Sequence, residues 1–326
     1  MVTMYWRWLA AASVLGACRG SEIAPGPATA LAASFAGSEH GPVVPLDSAA
    51  IAQAMGRAGA MQPGDVLRFN LPRGDLTVMV DGIQLKPALA LGSYAVFKAT
   101  HSGAIAMGDL VLQQNEIEPV MSRLEAGGID VTAVHHHVLR QTPPIYYMHF
   151  HGMGNAVTLA QAIRAAVDLT STPPPSPPAP PTLALDSAGI AQALGTSGKL
   201  NGIVYQVSVP RLETIVEDGV VLPPAMGVAH VMNFQPTSGG VAAITGDFVL
   251  LADEVNPVIR ALRGHGIEVT ALHNHMLHDE PRLFFMHFWA VADAVQLARG
   301  LRSGLDATQR GDRRHDHDEH EEQHEH

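Results

Sequence analysis

A long segment of the chain occurs twice, and this duplication constrains the fold more than any other feature of the sequence. Leu46–Ala54 (LDSAAIAQA) returns as Leu185–Ala193 (LDSAGIAQA), and Gly108–Leu112 (GDLVL) returns as Gly246–Leu250 (GDFVL). Self-similarity of this kind at a nearly constant offset is typical of repeated domains. The sequence therefore predicts two copies of one domain, each large enough to bury its own core.

Residues 173–181, between the two copies, are nearly all proline. A proline-rich run favours an extended polyproline helix and acts as a semi-rigid spacer. We therefore expect two domains that do not form one continuous fold, although they can dock on each other. The predicted organisation is a signal peptide at 1–18, a first repeat at 46–170, a proline-rich linker at 171–184, a second repeat at 185–304 and a histidine- and acid-rich tail at 305–326.

Strand and helix patterns are mixed within each copy, which indicates an α+β fold. In the second copy, Asp186 is a good N-cap for a short first helix, and Asn256-Pro257 favours the start of a later one. The elements expected around that helix are strands at 241–251, 267–277 and 283–289, a turn at 279–281 and a final helix at 292–301. This β-α-β-β-α order is the skeleton of a ferredoxin-like split unit, whose sheet an upstream strand has to complete.

The only cysteine, Cys18, follows Leu15-Gly16-Ala17 at the end of a short apolar run that begins after Arg7. This arrangement is typical of a lipobox, where a signal peptidase cleaves and the cysteine is acylated. A plain signal peptide and an uncleaved anchor are the alternatives, although the run is too short to span a bilayer comfortably. We therefore predict an exported lipoprotein, anchored through Cys18 in the bacterial cell envelope and facing the periplasm or the outer surface.

Composition and motifs argue against several functions. A hydrophobic fraction of 47% with 16% charged residues is typical of a globular protein. The net charge is −11 and no basic stripe is present, which argues against a nucleic-acid partner. The sequence contains no Gly-x-Gly-x-x-Gly or Walker motif, no His-Glu-x-x-His and no Gly-x-Ser-x-Gly, so no nucleotide cofactor is predicted.

In the second copy, three histidines are predicted to share one face of a hairpin. Strand alternation places five residues on that face: Ile267, Val269, Ala271, His273 and His275. A turn at 279–281 sets His275 opposite His287 and His273 opposite Trp289. Directly opposite residues have Cβ atoms about 4.5–5.5 Å apart, so these imidazoles can converge on one ion.

In the first copy, the equivalent register sets His137 opposite His149 and His135 opposite His151, so that four imidazoles meet on one face. We therefore predict one transition-metal site within each repeat, for zinc, copper or nickel. The predicted ligands are His135, His137, His149 and His151 in the first repeat, and His273, His275 and His287 in the second.

Three carboxylates are candidates to support these sites or to act as a general base through bound water. Asp109 and Asp247 head apolar strands directly after a glycine, and Glu254 precedes a helix. Turn chemistry and favourable charge at a helix N-terminus explain the same residues without a catalytic role. The tail at 315–326 alternates histidine with acidic residues, which is typical of a metal-chelating segment or of a solvated acidic terminus.

Three functions remain open from the residues alone, and whether the chain is an enzyme is left undecided. The first is an envelope metal-binding protein, a carrier or a sensor. The second is a zinc-dependent hydrolase, in which three histidines leave a fourth position for water. The third is a non-catalytic interaction module, in which buried histidines are satisfied by hydrogen bonds to protein groups.

Several segments of the second copy resemble the signature of the LppY/LpqO family. They are Val269–Met276 (VTALHNHM), Asp279–Arg282 (DEPR), Phe285–Trp289 (FMHFW), Gly246–Leu250 (GDFVL) and Asp253–Pro257 (DEVNP). The resemblance extends over nearly all of both repeats. It implies a bacterial, exported, lipoprotein-like protein with a repeated domain of unknown function, and it supplies no activity.

The first copy departs from this signature at two places. His136 stands where the second copy has Asn274, and Thr142-Pro143-Pro144 stands where the second copy has Asp279-Glu280-Pro281. The departures leave open whether the two predicted sites are equivalent.

Overall fold

The computed structural model of the protein describes residues 43–176, 180, 182 and 184–308. The predicted signal peptide with Cys18, several positions of the proline-rich linker and the tail from 309 onwards lie outside the described residues. Residues 305–308, which the sequence analysis assigned to the tail, belong to the last helix.

The first repeat begins with a short helix whose N-cap is Asp47; the Asp47 side chain accepts a hydrogen bond from the backbone N–H of Ala50 at 3.0 Å. Its elements, in chain order, are α1 (Ser48–Met55), β1 (Ala60–Gln62), β2 (Val66–Pro72), β3 (Met79–Val80), β4 (Ile83–Gln84), α2 (Pro87–Ala90), β5 (Gly92–Thr100), β6 (Gly103–Gln113), a 3-10 turn (Gln114–Glu116), α3 (Ile117–Ala126), β7 (Asp130–His135), β8 (Ile145–Gly154) and α4 (Ala156–Val167).

The second repeat starts in the same way, and the predicted N-cap is confirmed: Asp186 accepts a hydrogen bond from the N–H of Gly189 at 2.9 Å. Its elements are α5 (Ser187–Leu194), β9 (Lys199–Asn201), β10 (Val204–Pro210), β11 (Ile215–Glu217), β12 (Val220–Leu222), a 3-10 turn (Pro224–Met226), β13 (Ala229–Pro236), β14 (Val241–Leu250), α6 (Ala252–Gly264), β15 (Glu268–His273), β16 (Asp279–Glu280), β17 (Phe284–Asp293) and α7 (Ala294–Thr308).

The predicted start of the helix after β14 is wrong. This helix, α6, begins at Ala252 and not after Asn256, and Pro257 lies inside it. The physical reason is Glu254, whose carboxylate accepts a hydrogen bond from the N–H of Leu251 at 2.7 Å and so satisfies a backbone donor at an earlier helix start.

Each repeat forms a six-stranded antiparallel sheet. The strand order is β1-β2-β5-β6-β8-β7 in the first repeat and β9-β10-β13-β14-β17-β15 in the second. In the first sheet, α3 connects β6 to β7, and β8 lies between these two strands; in the second sheet, α6 connects β14 to β15, and β17 lies between them. The upstream strands β5 and β13 pair with the free edges of β6 and β14. The structure is therefore a mixed α/β fold with two similar, sheet-rich repeats.

The longer helices, α1, α3 and α4 in the first repeat and α5, α6 and α7 in the second, cover one face of each sheet. In the first repeat, Ile51, Leu124 and Ile163 from three helices pack with Phe69 and Phe97 of the sheet, and the second repeat has an equivalent core. The opposite faces of the two sheets pack against each other, in buried clusters that combine residues of both repeats.

The repeats dock on each other and form a single compact unit. One shared cluster joins Tyr147 to Trp289, and the other joins Met107 to Phe285. Each sheet has a second apolar face, and burying those two faces against each other removes them from water. This packing brings the histidines of both repeats together.

Candidate metal centre

The hairpin register predicted for the second repeat is wrong. In the structure, His287 lies opposite Ala271 and His273 lies opposite Phe285. A β-bulge between Val269 and Ala271 shifts the pairing, and a bulge also reverses which face the following side chains occupy. Val269 therefore packs towards the helices, whereas His273 turns towards the other repeat.

The first repeat has the same bulge, between Val131 and Ala133, and the same corrected register. His149 lies opposite Ala133, and His135 lies opposite Tyr147. Strands β7 and β15 end at His135 and His273, so His137 and the equivalent residue of the second repeat lie beyond the strand ends.

Imidazoles of both repeats meet between the two sheets. The ring centroids of His135 and His273 are 3.6 Å apart, and those of His149 and His275 are 3.8 Å apart. The centroids of His137 and His287 are also 3.8 Å apart. We call these six residues the central histidine cluster: His135, His137, His149, His273, His275 and His287. The histidine groups predicted for the two repeats therefore lie side by side in one cluster between the sheets.

The contacts around the central histidine cluster are reciprocal. The Thr132 hydroxyl donates to the carbonyl of His275 at 2.6 Å, and the equivalent Thr270 hydroxyl donates to the carbonyl of His137 at 2.5 Å. Tyr147 stacks on His137, and Phe285 stacks on His275, both with ring centroids 3.4 Å apart. Such reciprocity is typical of a two-fold interface, here between two halves of one chain.

The nitrogen atoms of the central histidine cluster have the spacing of metal ligands. The Nε2 atoms of His135 and His287 are 3.2 Å apart. Two nitrogens bound to one tetrahedral zinc ion at about 2.0–2.1 Å would lie about 3.3 Å apart. Two sets of ligand atoms each lie within 4.8 Å of one another: Asp247, His273, His275 and His287 in one set, and His135, His137 and His149 in the other.

Burial keeps these imidazoles neutral. His149 is 3% exposed and His287 is 1% exposed. Burial lowers the pKa of His149 to about 3 and that of His287 to about 4, and it lowers the pKa of His135 and His273 as well. The neutral imidazole is the form that binds metal, so the cluster is in its ligand form at neutral pH.

Many nitrogens of the central histidine cluster lack a hydrogen-bond partner among the described residues. These buried atoms are Nδ1 of His135, Nε2 of His137, Nε2 of His149, both nitrogens of His273 and Nε2 of His275. Buried polar atoms are nearly always paired, because an unpaired one has lost its hydrogen bond to water. A bound ion would satisfy several of these nitrogens at once.

The two strand aspartates lie beside the cluster, as the sequence analysis allowed. Asp247 Oδ1 is 3.1 Å from Nδ1 of His287, and Asp109 Oδ2 is 3.4 Å from Nε2 of His137. Burial raises the pKa of Asp109 to about 7 and raises that of Asp247 well above its usual value. Nδ1 of His287 also lies 2.8 Å from the carbonyl of Gly246, and donation to that carbonyl would leave Nε2 free to bind metal.

Glu254 lies in a different network. Its carboxylate pairs with Arg211 at 2.7 Å, and the equivalent Glu116 pairs with Arg73 at 2.7 Å. These buried ion pairs, together with the bond from Leu251 N–H to Glu254, give the glutamates a structural role at the start of their helices.

Two further histidines of the first repeat also lie apart from the cluster. His151, one of the predicted ligands, is grouped instead with Glu217 and Asp218, 3.6 Å from the Asp218 carboxylate. Nδ1 of His136 lies 3.1 Å from the carbonyl of Ile145. Sequence reasoning singled out neither Glu217 nor Asp218 as a candidate ligand.

These observations define a two-repeat α/β protein with a shared histidine cluster between its two sheets. The chain belongs to the family described as "Domain of Unknown Function (DUF1259)", which matches residues 49–169 and 188–307. The two matched segments correspond to the two repeats. No curated protein matches the sequence.

Two solved structures show low similarity to the chain. One is a trimeric bacterial microcompartment shell protein, PduB, with 11% identity, 77% of this chain and 90% of that chain covered, and a TM-score of 0.21. The other is a fused permuted hexameric shell protein from the RMM microcompartment, with 12% identity, 65% and 87% covered, and a TM-score of 0.19. Similarity at this level carries no argument about function. In the described part of the chain, no helix has the length and hydropathy needed to cross a bilayer.

Proposed function

We propose that this protein binds a transition-metal ion through imidazoles contributed by both of its repeats. The observation that carries the proposal is the convergence of neutral imidazoles. Six of their buried nitrogens lack a hydrogen-bond partner among the described residues. Two further nitrogens, Nε2 of His135 and Nε2 of His287, lie only 3.2 Å apart. Zinc, copper and nickel all accept imidazole ligands. The interaction-module alternative expects histidines satisfied by protein groups, and the unpartnered nitrogens argue against it.

The ligand set of the second repeat favours tight binding over catalysis. Asp247, His273, His275 and His287 can supply four ligand atoms from the protein alone. A zinc site with four protein ligands is closed, whereas a catalytic site keeps a position for water. This set supports a carrier, sensor or structural site.

A metal-dependent hydrolase is the second candidate, and the ligand set of the first repeat favours it. His135, His137 and His149 form a three-histidine group, which leaves a fourth position for water. Asp109 lies 3.4 Å from His137, and burial raises its pKa to about 7, the range in which a general base works at neutral pH.

The envelope location is part of the same proposal. Its support is the lipobox-like Leu15–Cys18 and the resemblance to the LppY/LpqO family. Replacement of Cys18 by serine is expected to release the protein from the membrane fraction, and unchanged fractionation would count against the lipid anchor.

The β6-α3-β7-β8-α4 order, with β8 between β6 and β7, supports the interpretation of this unit as ferredoxin-like.

Metal analysis of the purified chain tests the central proposal. The tail histidines, His315, His317, His320, His324 and His326, are replaced by alanine so that only the folded part contributes. We expect bound zinc, copper or nickel after dialysis against micromolar metal, and loss of the metal held by the central histidine cluster in a His273→Ala, His287→Ala double variant. If the chain binds no transition metal at micromolar concentration, both the binding and the hydrolase proposals fail.

A further inference from the structure

A second group of ligand atoms lines a cavity separate from the central histidine cluster. The cavity has a volume of about 260 Å³. His151, Glu217, Asp218 and His278 all contribute to its wall, and no residue of the central histidine cluster does. Because Glu217 and Asp218 belong to the second repeat and His151 to the first, the two repeats have to be docked for the cavity to exist.

The donor atoms in this cavity lie within the reach of one ion. Ligand atoms of His151, Glu217 and Asp218 are all within 4.8 Å of one another. Nε2 of His151 is 3.6 Å from Oδ2 of Asp218, and Nδ1 of His278 is 3.2 Å from Oδ1 of the same aspartate. His278 is mostly exposed and stands at the rim.

The carboxylate of Glu217 is held in place from one side only. Its Oε1 accepts hydrogen bonds from the N–H groups of Leu277 and His278, at 3.4 Å and 3.3 Å. Its Oε2 has no partner among the described residues, although Glu217 is only 1% exposed. Nε2 of His151 likewise lacks a hydrogen-bond partner in the described chain, and that residue is 7% exposed.

Internal duplication provides a comparison site with the same backbone. Trp289 occupies the position equivalent to His151, and its indole N–H donates to Asp81 at 3.0 Å. Arg140, equivalent to His278, pairs with Asp81 at 2.9 Å and with Glu268 at 2.7 Å. On the Trp289 side, therefore, the indole and the Arg140 guanidinium already pair with the carboxylates of Asp81 and Glu268, and no metal ion is needed to balance their charge. On the His151 side, no arginine or lysine lines the cavity.

We propose that His151, Glu217 and Asp218, with His278 at the rim, form a second metal site for a divalent transition ion such as zinc. One or two imidazoles with two carboxylates is a mixed nitrogen and oxygen donor set that suits this class of ion. The site occurs on one side of the repeat interface only, and it does not depend on metal binding by the central histidine cluster.

Zinc stoichiometry tests this proposal in the full chain with the tail histidines replaced by alanine. We expect Glu217→Gln to remove one equivalent of bound Zn²⁺, and to weaken that site by at least about 100-fold, since loss of an outer-shell partner alone costs about 10–100-fold. Gln keeps an amide oxygen for the N–H groups of Leu277 and His278. His151→Ala is expected to remove the same equivalent.

The matched control is Trp289→Phe, which alters the equivalent position on the other side and is expected to leave the stoichiometry unchanged. A second background, with His135, His273 and His287 changed to alanine, separates the two sites, and one equivalent should remain there. Thermal unfolding with a chelator verifies that each variant is folded. If Glu217→Gln or His151→Ala does not fold, the Asp218→Asn variant is measured in its place, because Asp218 is more exposed.

Three results would overturn the second site. One is that folded Glu217→Gln and His151→Ala bind Zn²⁺ like the parent chain. Another is that the cavity binds Ca²⁺ and not Zn²⁺, which would contradict the class of ion. The last is an anomalous diffraction map of zinc-soaked crystals with no peak between His151 and Glu217.

Discussion

The two repeats are most alike where they meet, and they differ at the positions that flank this centre. At the centre, each repeat contributes three imidazoles and one threonine hydroxyl in reciprocal contacts. At the flanks, His151 faces Asp218 in a cavity, whereas the equivalent Trp289 closes over Asp81. The duplicated backbone therefore places polar groups at three points of the interface: the shared central histidine cluster, the His151 side and the Trp289 side. On the two flanking sides the backbone is equivalent, so the identity of the side chains decides which side keeps a cavity.

The largest effect is expected from breaking the ion pair that both repeats bury. Arg73→Met leaves Glu116 without its cation, and Arg211→Met does the same to Glu254; removal of one partner of a buried pair costs about 3–5 kcal/mol. Urea unfolding measures the loss, with the exposed Arg123→Met as a control expected to change stability by less than about 0.5 kcal/mol.

The same two unfolding curves test the unity of the fold. Because the sheets bury their second faces against each other, each variant should unfold in one transition shared by both repeats. A separate early transition for the altered repeat would contradict a single cooperative unit.

The next effect concerns sharing of the central histidine cluster. His135→Ala and His273→Ala are expected to weaken metal binding to a similar degree, by at least about 100-fold, because their rings stack on each other at the interface. Isothermal titration with Zn²⁺ gives both affinities. His136→Ala is the control, since His136 bonds outside the cluster. Were His135→Ala to leave binding at Asp247, His273, His275 and His287 untouched, the repeats would hold independent sites.

A smaller effect is expected from the threonines of the interface. Thr132→Val leaves the buried carbonyl of His275 without its donor, and Thr270→Val does this to the carbonyl of His137. Each loss should cost about 1–3 kcal/mol of unfolding free energy in a chemical denaturation experiment. The matched variants Thr132→Ser and Thr270→Ser keep the hydroxyl and should cost less. Unequal losses from the two valine variants would argue against reciprocal contacts.

The smallest effect is a difference in acid sensitivity. In the second repeat Val249 N–H donates to His230 Nδ1 at 3.1 Å, and in the first repeat Val111 N–H donates to Ser93 at 2.8 Å. Burial lowers the pKa of His230 to about 3, below its ordinary value near 6.5. The neutral ring therefore stabilises the fold fully above pH 6.5, and this contribution is lost as the pH falls towards 3.

Replacement of His230 by serine, as in the first repeat, should remove that part of the acid sensitivity. One pKa unit corresponds to about 1.4 kcal/mol, so we expect the loss of stability between pH 7 and pH 5.5 to shrink by about 1 kcal/mol. Denaturant titrations of the metal-free chain at both pH values measure this difference. An unchanged pH dependence would mean that His230 is protonated as easily in the folded chain as in the unfolded one.

Local patterns predicted the repeated organisation, the helix cap at Asp186 and the residue types of the candidate site. Six of the seven predicted histidine ligands lie in the central histidine cluster, and Asp109 and Asp247 lie beside it. The hairpin register was wrong because a single extra residue in a bulge reverses strand alternation, and nothing in the strand pattern announces it. Glu217 was missed because it becomes a candidate ligand only when His151, a residue of the other repeat, lies next to it.

By itself, the sequence determined that this chain contains one α+β unit twice and that each copy carries histidines near the end of a strand, because caps, turns and alternation depend on neighbours along the chain. Only the tertiary structure decided that the two copies pack sheet against sheet and that their imidazoles meet. That outcome depends on burial of the second apolar face of each sheet and on a bulge that turns the histidines towards it.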